Sequence, residues 1–157
     1  MTKTAFRQLP IKLRAGRKTD VRAQFAALCW RMQNGKVEIC IVTTRNSGRW
    51  ILPKGWPMHK QTPAQSAATE AYEEAGIKGD AIDTCLGVYS YVKPLQSGNI
   101  PIVVMVYPVR VRKELSNWPE KGQRKRNWLS PKKAAKKLQE PELKLIVAAF
   151  KPKTVLH

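Results

Sequence analysis

Apolar and polar positions change period along the chain, and each change marks an element. Val21 to Trp30 and Val37 to Thr43 are rich in apolar and β-favouring residues and flank Asn34-Gly35, so they predict two antiparallel strands joined by a tight turn. Arg49 to Leu52 is a short extended piece. It runs into Pro53-Lys54-Gly55-Trp56-Pro57, where two prolines and a glycine predict an irregular loop. A helix follows over 63–75: Thr62 caps it, Pro63 opens it, Gln65 completes a capping box and Gly76 stops it. β-like segments near Thr84–Val92 and Ile100–Val111 come next, then a basic loop and a short strand at Trp128-Leu129. Ser130-Pro131 opens a second helix, and Glu142 to Phe150 forms a last one. Strands in hairpins on either side of a central helix predict an α/β fold, a mixed sheet with helices on its faces.

Length changes this picture little, since 157 residues make one core. The longest apolar run, Ile102 to Tyr107, is far short of the roughly 20 residues that cross a bilayer, so no membrane partner is expected. Cys29, Cys40 and Cys85 are odd in number and scattered, which argues against a disulfide framework or a structural zinc; they read as core residues in a reducing, cytoplasmic setting.

Charge changes the picture more. The chain holds 29 Lys and Arg against 11 Asp and Glu, a net +18, and a polyanionic partner follows: a phosphate-rich small molecule, or RNA. Residues 1–19 form a basic arm ahead of a domain over 20–157, with Lys3, Arg7, Lys12, Arg14, Arg17 and Lys18 in it.

Against this excess of positive charge, Glu70, Glu73 and Glu74 stand together on the central helix. Offsets of three and four put Glu73 and Glu74 beside Glu70, where like charges repel. Either solvent and nearby cations compensate them, or a hard divalent ion such as Mg²⁺ does, taking carboxylate oxygens and water. Ala64, Ala67, Ala68, Ala71 and Ala75 leave the rest of the helix slim enough to lie close on a sheet.

Gly55 and the run Glu70-Ala71-Tyr72-Glu73-Glu74-Ala75-Gly76-Ile77 resemble the Nudix box, in which a Gly, a Glu and an Arg-Glu-aliphatic-x-Glu-Glu-x-Gly-aliphatic run recur at fixed spacing. Gln61 stands where the box has its first Glu and Thr69 where it has Arg. Both members of a usual ion pair are therefore absent together, and Gln61 can hydrogen-bond to Thr69 instead. Arg49-Trp50-Ile51-Leu52-Pro53 and Arg124-Lys125-Arg126-Asn127-Trp128 resemble segments of the diphosphoinositol polyphosphate phosphohydrolase branch, with Asn127 where that branch often has Glu.

The resemblance implies an α/β/α sandwich and a Mg²⁺-dependent pyrophosphohydrolase, with Mn²⁺ as an alternative ion. It implies metal ligands at Glu70, Glu73 and Glu74, with Glu73 either a ligand or the general base. A further carboxylate from outside the box has Glu120 and Glu114 as candidates. Arg45, Arg49, Lys54, Gly55, Arg124 and Arg126 would bind substrate phosphates. The substrates implied are a diphosphoinositol polyphosphate, a dinucleoside polyphosphate or an RNA 5′-end. The competing reading is a protein on the same scaffold that binds RNA or another polyanion without turnover.

Overall fold

The computed structural model describes residues 10, 22–96 and 98–156. The basic arm expected over residues 1–19 lies, Pro10 apart, outside the described residues. Among the described residues eight strands form one sheet: β1 (Ala23–Gln33), β2 (Lys36–Thr43), β3 (Trp50–Ile51), β4 (Lys54–Gly55), β5 (Ile77–Ala81), β6 (Gly87–Leu95), β7 (Gly98–Glu114) and β8 (Arg126–Leu129). The helices are α1 (Pro63–Ala75), α2 (Pro131–Lys137) and α3 (Pro141–Ala148). The central path runs β3-β2-β1-β7-β5; β1 and β7 are parallel, while β1–β2 and β6–β7 are antiparallel. The sheet is therefore mixed, as the sequence predicts.

Alternation along β1 sorts the core into two layers, because successive side chains of a strand point to opposite faces. Phe25, Ala27 and Cys29 pack with Ala64, Ala67, Ala71 and Ala75 of α1, so the alanine stripe lets the helix lie close on the sheet. Ala26, Leu28 and Trp30 pack on the other face with Ala134, Leu143 and Val147 of α2 and α3. The architecture is an α/β/α sandwich. Among the described residues no helix is long and apolar enough to cross a membrane.

Local chemistry sets the boundaries. Asn34 and Gly35 adopt φ 52° and 75°, the left-handed pair that a two-residue hairpin needs. In α1 the Thr62 side chain accepts from Gln65 N–H, the Gln65 side chain accepts from Thr62 N–H, and Gly76 closes the helix at φ 66°.

Three expectations need correction. The 53–57 loop is not wholly irregular: Lys54 and Gly55 pair with Ala26 and Phe25 of β1, and Ala27 N–H donates to Pro53 O at 2.9 Å. The prolines flank this pair rather than occupy it, so its donors remain available. Strand β5 is absent from the sequence pattern because Gly79 and Asp80 disfavour strands; its register on β7, with a shift between Lys78 and Gly79, supplies the order instead. Cys29 and Cys40 are buried, but Cys85 is exposed and is no core residue.

Candidate active site

Two backbone segments meet at the end of the sheet and build the site. The β4 pairing holds Gly55 against β1, and α1 lays Glu70 directly over it. A Cβ at Gly55 would stand 2.1 Å from Glu70 Oε1, so only glycine leaves room for that carboxyl group. A cleft of about 500 Å³ opens there, lined by Glu70, Glu73, Glu74 and Glu120 on the acidic side and by Arg45, Lys54, Lys93 and Arg124 on the basic side.

Glu70 and Glu74 are buried, whereas Glu73 is partly exposed. Burial, followed by the adjoining Glu74 and Glu73 carboxyls, pushes the Glu70 carboxyl up to about 9. Burial also raises Glu74, against the pull of Arg124, the Glu70 hydrogen bond and Lys54. Two such groups one helical turn apart need a shared proton or an external cation. Glu74 Oε1 is buried with no hydrogen-bond partner, an unused acceptor facing this need.

That donor set fits a hard divalent ion: carboxylate oxygens, one of them orphaned, beside a space that Gly55 keeps open. Among the described residues no three Asp, Glu, His or Cys side chains are already gathered closely enough to hold a metal ion. Glu70 and Glu74 would hold the ion, with Glu73 and Glu120 at the rim of the same cleft. Of the two candidate outside carboxylates, Glu120 faces the cleft. Glu114 instead pairs with Arg31, 2.7 Å from its Nη1.

The basic residues divide. Arg45, Lys54, Gly55 and Arg124 line the cleft. Arg49 does not: its Nη1 donates to Gln139 Oε1 at 3.1 Å and its Nη2 lies 3.9 Å from Glu140. Arg126 is also elsewhere, because the C-terminal end of α1 claims its charge. Its Nη1 donates to Ala75 O at 2.8 Å and its guanidinium lies 4.3 Å from the centre of the Trp118 ring.

Side chains without a sequence signal complete the wall. Tyr91 donates to buried Gln24 Oε1 at 2.5 Å, and burial pushes the phenol up to about 12, so it remains a neutral donor. Lys54 Nζ sits 5.0 Å from the centre of the Tyr91 ring, and Lys93 Nζ sits 5.0 Å from that of Trp56. Burial lowers Lys54 from the ordinary lysine range, and Glu74 opposes that shift. Alternation along β6 places Tyr91 and Lys93 on one face, but a period of two carries no indication of which cleft that face lines.

Gln61 and Thr69 meet as their types allow, the single Thr69 hydroxyl hydrogen being shared between Gln61 Oε1 at 3.2 Å and Gln65 O at 3.0 Å. The loop and helix are thus tied without charge.

The sandwich has counterparts among known proteins. The NUDIX domain family matches residues 22–150, and the chain belongs to the Nudix family. Nudix hydrolase 16, mitochondrial, of Arabidopsis thaliana is 34% identical over 117 residues, covering 71% of this chain and 64% of that protein. Human diphosphoinositol polyphosphate phosphohydrolase 3-alpha is 32% identical over 116 residues, 73% of this chain and 67% of that protein. Against Nudix hydrolase 12, mitochondrial, also of A. thaliana, identity is 31% and the match covers 63% of this chain but 51% of that protein; the chain spans about half the length of such a relative. In fold, a C. elegans Ap4A hydrolase complex superposes with a TM-score of 0.61 at 17% identity, over 82% of this chain and 93% of that one. A Nudix hydrolase from Nitrosomonas europaea gives 0.62 at 15% identity, over 81% and 86%.

Proposed function

We propose that the protein is a divalent-metal-dependent pyrophosphohydrolase that splits a diphosphate linked to another moiety. The observation that carries this reading is the pair of buried carboxyls, Glu70 and Glu74, with Glu74 Oε1 free of any hydrogen bond, in one cleft with Arg45 and Lys54. A pure anion binder gains nothing from carboxylates at that place.

Bound Mg²⁺ or Mn²⁺ would neutralise phosphate oxygens and make a water more acidic. The chain's own residues do the rest. Glu70 and Glu74 would hold the ion, and Gly55 keeps the space beside Glu70 clear. Glu73, less buried than its neighbours, is either a further ligand or the base that takes a proton from the attacking water. Arg45 and Lys54 orient the phosphates for in-line attack.

For the substrate we favour a compound with many phosphates, such as a diphosphoinositol polyphosphate, over a dinucleoside polyphosphate. The ring faces of Tyr91 and Trp56 that could stack on a base each have a lysine over them, so this wall presents cations. Likeness to the human relative named above supports the same choice. Incubating purified protein with Mg²⁺ and a panel of diphosphoinositol polyphosphates, dinucleoside polyphosphates and 5′-triphosphate RNA, following phosphate release, tests both statements. Binding of RNA without turnover of any panel member would overturn the enzyme reading. Preference for the dinucleoside compounds would overturn the substrate class alone.

A further inference from the structure

Helix α1 carries three glutamates and no lysine or arginine between Pro63 and Ala75. Thr69, just before the first of them, is bound to neutral Gln61. Buried carboxylates without a nearby cation are costly, so the fold must bring positive charge from another element.

Arg124 brings it. Its side chain is only 8% exposed, and its donors are directed in three ways. Nη1 donates to Thr43 O at 3.0 Å, Nε donates to Glu120 Oε1 at 3.1 Å, and Nη2 lies 3.1 Å from the same oxygen. Nη1 also stands 3.7 Å from Glu74 Oε1, a distance that gives attraction without a hydrogen bond and leaves that oxygen's lone pairs free. The backbone beside it is fixed, since Lys125 N–H donates to Thr43 Oγ1 at 2.8 Å and Thr43 N–H donates to Lys125 O at 3.1 Å. Glu120 is fixed as well, its N–H donating to Glu73 O at 3.0 Å. A bidentate phosphate clamp needs a pair of parallel N–H groups, and the Nε/Nη2 pair of this buried guanidinium faces Glu120 Oε1 while Nη1 is held by Thr43 O.

We propose that Arg124 is a positioning residue, setting Glu74 and Glu120 in the cleft from outside the carboxylate helix, and is not a grip for substrate phosphate. The proposal rests on the reading of the cleft as a pyrophosphohydrolase site. Arg45 also reaches protein, its Nη1 lying 3.7 Å from Glu120 Oε1 and donating to Gln123 Oε1 at 3.3 Å, but its side chain is 58% exposed, so it and Lys54 remain the cations that meet the ligand.

The test uses Arg124→Gln, Glu120→Gln and their combination, assayed on a many-phosphate and a two-phosphate substrate, with Mn²⁺ titrated calorimetrically into each substrate-free protein. Arg124→Gln should lower kcat by about tenfold or more with KM within about threefold, by the same factor on both substrates, and the double variant should fall no further than the worse single one. Glu120→Gln should weaken Mn²⁺ binding in the wild-type background and have less than about a twofold effect once Arg124 is gone, a comparison in which the direct effect of the lost positive charge cancels. Arg124→Lys keeps the charge but cannot reach Thr43, Glu74 and Glu120 together, so it should recover only part of kcat. Should Arg124→Gln fail to fold, the lysine variant carries the same cycle.

A loss confined to KM and growing with phosphate number, independent multiplicative losses, or an equal Glu120→Gln effect on Mn²⁺ in both backgrounds would overturn the proposal. Coupled Mn²⁺ binding in a protein that splits no diphosphate would overturn the proposed function and leave the positioning intact. Full hydrolysis without coupling would do the reverse.

Discussion

Gly55 and Glu70 are complementary through an absence: the hydrogen on Gly55 occupies the place where any Cβ would stand 2.1 Å from the Glu70 carboxyl. The short β4 pairing with Phe25 and Ala26 fixes the glycine, and the alanine face of α1 fixes the glutamate, so neither can retreat cheaply.

Gly55→Ala should therefore displace the Glu70 side chain and reduce turnover by about a hundredfold, an energy of about 2.7 kcal/mol at the transition state, while the fold survives. Steady-state kinetics together with circular dichroism checks this. Turnover within threefold of wild type would show that Glu70 works from another position.

Glu70 also predicts how stability depends on pH. Its folded value, about 9, lies above its unfolded value of 4.5, so the folded state holds the proton more tightly. The stabilisation is fully present below the unfolded value and is lost as pH rises through about 9. In EDTA the melting temperature of wild type should fall between pH 5 and 9 relative to Glu70→Gln, and Mg²⁺ should recover more of that fall at pH 9 than at pH 6. Lys54, lowered by burial, acts in the opposite sense, which is why the difference between the two proteins is the quantity to measure. Parallel melting curves across this range would refute the buried-carboxyl assignment.

Glu73→Gln and Glu74→Gln should each abolish most turnover with the helix intact, since each removes a negative oxygen without changing size. Relief of like-charge crowding should keep the melting temperature of Glu73→Gln at or above that of wild type. Near-normal activity in both variants would remove the carboxylates from the mechanism.

Arg126 separates a structural cation from a binding one. Although its place in the sequence suggests phosphate contact, its bond to Ala75 O and its stacking on Trp118 predict that Arg126→Ala costs about 1–2 kcal/mol of stability and leaves KM unchanged. Combining Arg45→Ala with Lys93→Ala should instead raise KM, most for many-phosphate substrates, with a weaker salt dependence than wild type. Denaturant titration and a KM series in salt distinguish the two outcomes.

Gln61→Glu with Thr69→Arg should be tolerated, because the pair replaces the Thr69–Gln61 hydrogen bond with an ion pair at the same junction. Either change alone adds an uncompensated charge. A double variant no more stable than the worse single one would show that the junction cannot hold the pair.

The sequence by itself determined the elements whose chemistry is local. Asn34-Gly35 fixed a turn, Thr62, Pro63, Gln65 and Gly76 fixed both ends of α1, and the spacing of Glu70, Glu73 and Glu74 placed them on neighbouring positions of that helix. Each depends on residues a few positions apart, where backbone geometry is almost settled by residue type. Tertiary structure decided what depends on distant partners. Strand β5 exists because β7 offers it a register, and Lys54 and Gly55 pair only because β1 lies alongside. The basic residues show the same division most clearly. In sequence Arg45, Arg49, Lys54, Arg124 and Arg126 are equivalent cations near a carboxylate motif; in the fold Arg45 and Lys54 line the cleft, Arg49 turns to Gln139 and Glu140, Arg124 braces Glu74 and Glu120, and Arg126 caps a helix. A long side chain can reach several partners from one backbone position, so its role follows from which buried acceptors the packing leaves within reach.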